Sequence, residues 1–175
     1  MANDGGHAWG AVDLRPHQTA ALAELESLLA REAVRRPITL VGEFQAGKTT
    51  LARYWLAQHF AEPERHYLAV GDTLTRALMA DAPIEEYADA PAKATVALRL
   101  ALDTALETRF AEGRAVVIDS IEILREYDIP LLTLIEPYTR AGKVAVVCVP
   151  ERPRYGFSFD FPAFECYAIP VDPGA

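Results

Sequence analysis

The chain has 175 residues, a composition of 51% hydrophobic and 24% charged residues, and a formal net charge of −8. Those values fit one soluble domain with a sizeable core and are ordinary for a globular protein. The acidic balance argues against a free-standing binder of nucleic acid or anionic membrane, and no apolar run is long enough to span a bilayer.

Residues 1–12 are Gly-rich and polar and read as a loose tail, leaving 13–175 as a single domain. The spacing predicts a helix over 16–34, with Pro16 in its first turn and Leu22, Leu25 and Leu29 on one face. A buried strand is expected at 38–41, a helix at 49–60, and a second strand at 67–70 that leads into a short helix through Met79. Pro83 and Pro91 mark a turn-rich stretch. A long helix over 92–110 repeats Leu98, Leu102, Leu106 and Phe110 every four residues, with Gly113 closing it. A wholly apolar third strand, 115–118, ends at Asp119. A helix over 130–140, disturbed at Pro137, precedes a fourth strand at 144–149. An aromatic loop with arginines covers 151–165, and a fifth short strand covers 166–171. Strands that alternate with helices and read as continuous apolar runs predict a mainly parallel sheet covered on both faces. With right-handed crossovers this is a three-layer α/β sandwich. Nothing after the fifth strand is long enough to form a separate lid domain.

Two residue types exclude other chemistry. The two cysteines, Cys148 and Cys166, sit in apolar strand-like runs, where buried reduced thiols are expected. The four histidines are scattered at 7, 17, 59 and 66, with no zinc-ligand spacing. The first residues lack a charged and apolar leader pattern, so the expected compartment is the cytoplasm.

Between the first strand and the helix after it stands Gly42-Glu43-Phe44-Gln45-Ala46-Gly47-Lys48-Thr49, which reads G-x-x-x-x-G-K-T. With 10 Gly, 3 Lys and 14 Ser plus Thr in the chain, an accidental match is expected about once in a thousand such sequences. Fourteen of the 17 basic residues are Arg, yet this position holds Lys, the compact point charge that a phosphate loop uses. Strand, loop and helix together predict a triphosphate cradle. Residues 42–49 and Thr50 would surround the phosphates, Lys48 would reach the β- and γ-phosphates, and Thr49 would offer Mg²⁺ a hard oxygen.

A second acidic ligand is needed, and Asp119 follows Val116-Val117-Ile118 at the end of an apolar strand. It would hold Mg²⁺ directly or through water, the plain alternative being a loop cap. Hydrolysis further requires a group to orient or deprotonate water. Ser120 follows Asp119, so the nearest carboxylate is Glu122, on the same side as residue 120 if the segment is extended. Asp72 is a weaker candidate that reads equally as a helix cap. Cys148-Val149-Pro150 stands where a polar sensor of the γ-phosphate is expected. Arg140, Arg152 and Arg154 are spare cations, one of which could act on a neighbouring subunit. A guanine-reading Asn-Lys-x-Asp motif is impossible, because the single Asn is Asn3.

The order of these elements resembles the additional-strand class of P-loop ATPases, the RecA/AAA-like group. The resemblance implies a sheet order of 5-1-4-3-2. It also implies that the strands of Cys148 and Cys166 flank the loop strand on opposite sides, out of bonding reach. Gln18, in Leu14-Arg15-Pro16-His17-Gln18, resembles the adenine-reading Gln of superfamily 2 helicases; otherwise it is simply a helix start. From about Ile38 to Tyr167 the chain is similar to the BrxF family of small P-loop proteins in BREX phage-defence systems. The features that carry this are the 42–49 loop, the run 116–124 and the tail with Phe161-Pro162-Ala163-Phe164. That resemblance implies an accessory ATPase, with ATP and Mg²⁺, that acts with itself or with other defence proteins. The competing expectations are a small-molecule kinase with a lid at 151–165, and a helicase-like DNA-remodelling subunit that needs partner chains.

Overall fold

Short runs rich in Val, Ile and Leu alternate with longer amphipathic segments, and the molecule sorts them into a central sheet and two covering layers. The computed structural model describes residues 9, 12–31, 34–81, 87, 90–150 and 165–172. Among these, the strands are β1 (Ile38–Gly42), β2 (Tyr67–Ala69), β3 (Ala115–Asp119), β4 (Val144–Pro150) and β5 (Tyr167–Pro170). The helices are α1 (Pro16–Leu29), α2 (Lys48–His59), α3 (Val70–Asp81), α4 (Pro91–Glu112), α5 (Glu122–Glu126) and α6 (Leu131–Arg140), with a 3₁₀ turn at Pro63–His66. The sheet order is β2-β3-β4-β1-β5, the order that the resemblance implies, and every pairing is parallel where the sequence predicts a mainly parallel sheet.

Side-chain alternation along the strands creates two cores. On one face Ile38, Leu40, Tyr67, Val117, Val146, Cys148 and Ile169 pack against Ala21, Leu25 and Leu28 of α1 and Leu51, Trp55 and Leu56 of α2. On the other, Leu68, Val116, Ile118, Val147 and Val149 pack against α3, α4, α5 and α6. The four-residue repeat of α4 is wholly buried, and Phe110 stacks on Tyr138 with ring centroids 4.4 Å apart. Each fully buried Leu or Phe contributes roughly 1.5–3 kcal/mol. Lys143 closes the end of α4 by donating to the carbonyls of Phe110 (2.9 Å) and Gly113 (3.0 Å), satisfying groups that the helix leaves unpaired.

Three boundaries differ from expectation. Helix α1 stops at Leu29 rather than reaching residue 34; Ala30 and Arg31 close its last turn on the Glu26 and Leu28 carbonyls. Helix α3 begins at Val70 with no connecting turn, so Gly71 and Asp72 lie inside it. Pro137 leaves α6 unbroken from Leu131 to Arg140, and the Gly142 backbone, at φ +85°, ends the segment. The calls on residues 1–8, the Pro83 stretch and 151–164, including Arg152, Arg154 and the 161–164 tail, lie outside the described residues. No described helix is long and apolar enough to cross a membrane.

Strand register determines where the chemistry lies. Gly42 pairs with Pro150, and Ala69 pairs with Asp119, so the loop after β1 and the carboxylate of β3 share the carboxyl edge of the sheet. That edge is where open parallel sheets bind ligands.

Candidate functional site

The loop after β1 is shaped by two glycines with different reasons for being there. A Cβ on Gly42 would stand 2.6 Å from the carbonyl oxygen of Val171, in the segment after β5. Gly47 has φ +94°, and a Cβ there would collide with the Gln18 amide. Gln45 also takes a left-handed backbone, φ +65°, without being glycine. Such a residue costs about 1–2 kcal/mol, and strain of this kind gathers at ligand sites. Glu43, Phe44 and Gln45 are exposed, Phe44 by 78%, and Ala46 is buried.

Helix α2 starts at Lys48, and its first residue bonded to a preceding carbonyl is Leu51, to Gly47 (3.0 Å). The amides of Lys48, Thr49 and Thr50 therefore lie in the unpaired first turn, at the positive end of the helix dipole. Lys48 folds back over the loop. Its ammonium donates to the carbonyls of Gly42 (2.7 Å) and Glu43 (2.8 Å), leaving one of its three protons for another acceptor. Burial pushes the Lys48 pKa below its ordinary value, while Cys148, Asp119, Glu122 and Asp172 pull it back up.

Lys48, Thr49 and Asp119 come together as predicted. Asp119 is 7% exposed and points to the α2 face of the sheet. Its Oδ2 accepts from the Thr49 hydroxyl at 2.6 Å and from the Tyr67 phenol at 2.6 Å; its Oδ1 accepts from the Ser120 amide at 2.8 Å. Burial, and then the charge of Asp119, raise the Tyr67 pKa far above the usual phenol value, so the phenol remains a donor. The Thr49–Asp119 pair fits Mg²⁺. Both are hard oxygens, and Mg²⁺ commonly takes one or two protein oxygens and completes its shell with phosphates and water. No group of three or more His, Cys, Asp or Glu suited to a metal occurs among the described residues.

Glu122 does not sit on an extended segment with residue 120. Ser120 turns left-handed, φ 57°, and Glu122 opens helix α5. Its carboxylate is exposed, yet near enough to raise the Lys48 pKa. Asp72 lies in the exposed first turn of α3 and acts on the dipole there. Arg140 pairs with Glu136 at 2.6 Å and lines a cavity of about 430 Å³ with Arg35, Arg36 and Pro37, which precede β1 at the amino edge of the sheet. Cys148 is wholly buried beside Asp119 and Lys48, and burial raises its thiol pKa well above the ordinary value. Cys148 and Cys166 are both buried thiols and form no disulfide with each other.

Gln18 is brought to the site, but its amide is already engaged. It is 4% exposed, its Oε1 accepts the Arg15 amide at 2.8 Å, and its Nε2 donates to the Gly47 carbonyl at 3.0 Å. Its neighbour His17 meets the Ala46 carbonyl at 3.1 Å. Both residues thus grip the loop backbone. On the opposite side, the Asp172 carboxylate accepts the Glu43 amide at 3.2 Å. Tyr67, His17, Asp172 and Arg53 were not singled out from the sequence. Tyr67 had one visible signal: it stands two residues before Ala69, and alternation puts it on the same face as its strand neighbour's Asp119.

The chain matches no family model, no curated protein and no solved structure.

Proposed function

We propose that the chain binds MgATP on the 42–50 segment and acts as a slowly hydrolysing, nucleotide-dependent switch or assembly factor. The observation that carries this reading is the 2.6 Å contact between the Thr49 hydroxyl and Asp119, reached from helix α2 and strand β3 beside a lysine-bearing, glycine-shaped loop. In this reading the amides of the first turn of α2 bind the phosphates, and the free proton of Lys48 reaches the terminal one. Thr49 and Asp119 hold the cation, which when bound offsets charge on the phosphate oxygens. Glu122 orients the attacking water from the exposed rim. A lone rim carboxylate following a serine supports slow turnover. Adenine is favoured over guanine because the guanine-reading motif cannot be built with Asn3 as the one asparagine.

The partners suggested by the BrxF resemblance, other defence proteins or further copies of the chain, belong to the same proposal. A BREX-type antiviral role rests on that resemblance. A kinase would need its lid from 151–165, nearly all of it outside the described residues. The helicase-like alternative needs the Gln18 amide for adenine, and that amide here bonds the Arg15 amide and the Gly47 carbonyl.

The test is equilibrium binding of ATP together with phosphate release by the isolated chain. Lys48→Ala is expected to abolish binding with unfolding behaviour unchanged, and retained affinity would refute the loop assignment. Glu122→Gln is expected to bind normally and lose hydrolysis, whereas a wild-type rate would move the base elsewhere.

A further inference from the structure

We propose that Tyr67, braced by Arg53, is a positioning residue for the Asp119 carboxylate and thereby sets how tightly the site holds its divalent cation. The inference rests on the nucleotide reading above and adds to it two residues from outside the phosphate loop and the acidic strand end.

The geometry is a relay of four groups. Thr49 donates its single hydroxyl proton to Asp119 Oδ2, so the lone pairs of the hydroxyl are turned away from the carboxylate and are free for a cation. The direction of those lone pairs therefore depends on where Oδ2 stands. An aspartate carboxylate turns easily about its last torsion, and the Tyr67 phenol is a second donor that holds Oδ2 in place, at 2.6 Å. Ser120 holds the second oxygen through its amide. Tyr67 is itself held from behind. The Arg53 guanidinium lies 4.7 Å from the Tyr67 ring centroid and donates to the phenol oxygen at 3.4 Å. Trp9 packs edge-on against Tyr67, with centroids 5.7 Å apart, and its ring stands 5.6 Å from the same guanidinium. Arg53 Nε is buried and has no hydrogen-bond partner among the described residues. A buried guanidinium nitrogen set beside the phenol ring is unexpected for a side chain serving solubility alone.

The arrangement does the work of an outer-shell partner of a metal ligand. Groups that orient ligands from behind typically change metal affinity by about 10–100-fold when removed. Tyr67 makes no bond to the loop that would carry the phosphates, so its influence reaches the nucleotide through the cation alone.

Tyr67→Phe separates the two effects, because it removes the hydroxyl and keeps the ring. Binding of a fluorescent ATP analogue is titrated with magnesium, and again in excess EDTA. The expected result is a magnesium midpoint raised about 10–100-fold, with affinity in EDTA equal to that of the unaltered chain. Arg53→Met is expected to raise the midpoint by itself and to add nothing to Tyr67→Phe. An unmoved midpoint in a chain that binds the analogue normally overturns the positioning role and leaves the nucleotide reading standing. Equal losses with and without magnesium overturn it as well, since Tyr67 would then only support the fold. An additive effect of Arg53→Met removes Arg53 from the relay. If the unaltered chain binds no analogue under either condition, the nucleotide reading falls and this inference falls with it.

Discussion

Replacing Gln18 by Ala separates two roles for one side chain. Gln18 is 4% exposed and makes two hydrogen bonds, to the Arg15 amide at 2.8 Å and the Gly47 carbonyl at 3.0 Å. Each such bond contributes about 1 kcal/mol net, and a partner left buried and unpaired costs somewhat more. The truncation also empties the space that a Cβ on Gly47 would enter. Together these give a destabilisation of about 2–3 kcal/mol, or roughly 5–10 °C in melting temperature for a chain of this size. The loop is loosened on one side, so affinity for ATP and GTP should fall by the same factor. Calorimetric melting and parallel titrations with both nucleotides test this. An unchanged melting temperature with a loss confined to ATP would refute the reasoning, because it would show the amide reading a base rather than holding the backbone.

Two other outcomes follow from burial. Lys48 has its charged form disfavoured by folding; in the free protein this cost is present below the lowered pKa and fades as pH rises through it toward the ordinary lysine value. A triphosphate restores the preference for the ammonium, so binding at a pH between the two values should take up protons. Calorimetry in buffers of different ionisation enthalpy measures that uptake, and none, or a release, would count against contact between Lys48 and phosphate. Cys148 and Cys166 are both buried, and burial holds the Cys148 thiol protonated. Iodoacetamide should leave both unmodified until the chain unfolds, and labelling of Cys148 in the native protein would show that the sheet opens around it.

The fold was legible because its signals are local and repeated. Apolar runs of strand length, the four-residue stripe of α4 and a glycine-lysine loop in the right setting each declare themselves within a few positions. The order of the strands was available only through the resemblance that the third-placed acidic strand suggests, not from the residues themselves. The convergence of Lys48, Thr49 and Asp119 was equally legible, since each belongs to a motif with its own chemistry. Contacts reaching the loop from distant segments were not. Asp172 is one carboxylate among Pro, Val, Gly and Ala, and the parallel pairing of β5 with β1 brings it to the Glu43 amide. Tyr67 looked like any aromatic residue of a buried strand, because a phenol and a phenyl ring have the same effect on an apolar pattern. Gln18 was read for what its amide could offer a ligand, while its backbone partners were invisible without the packing of α1 on the loop. Ser120 carries no sign of a left-handed turn, and that turn is why Glu122 opens a helix instead of extending the strand.

The contact of Gly42 with the carbonyl of Val171 bears on how the protein is made. A ribosome releases the glycine-lysine segment long before it releases residues 171 and 172, so a nascent chain carries the loop without the wall it rests against. On the proposed reading, competence to hold a ligand waits for β5, the last of the five strands to emerge, and a chain stopped before it would lack that competence.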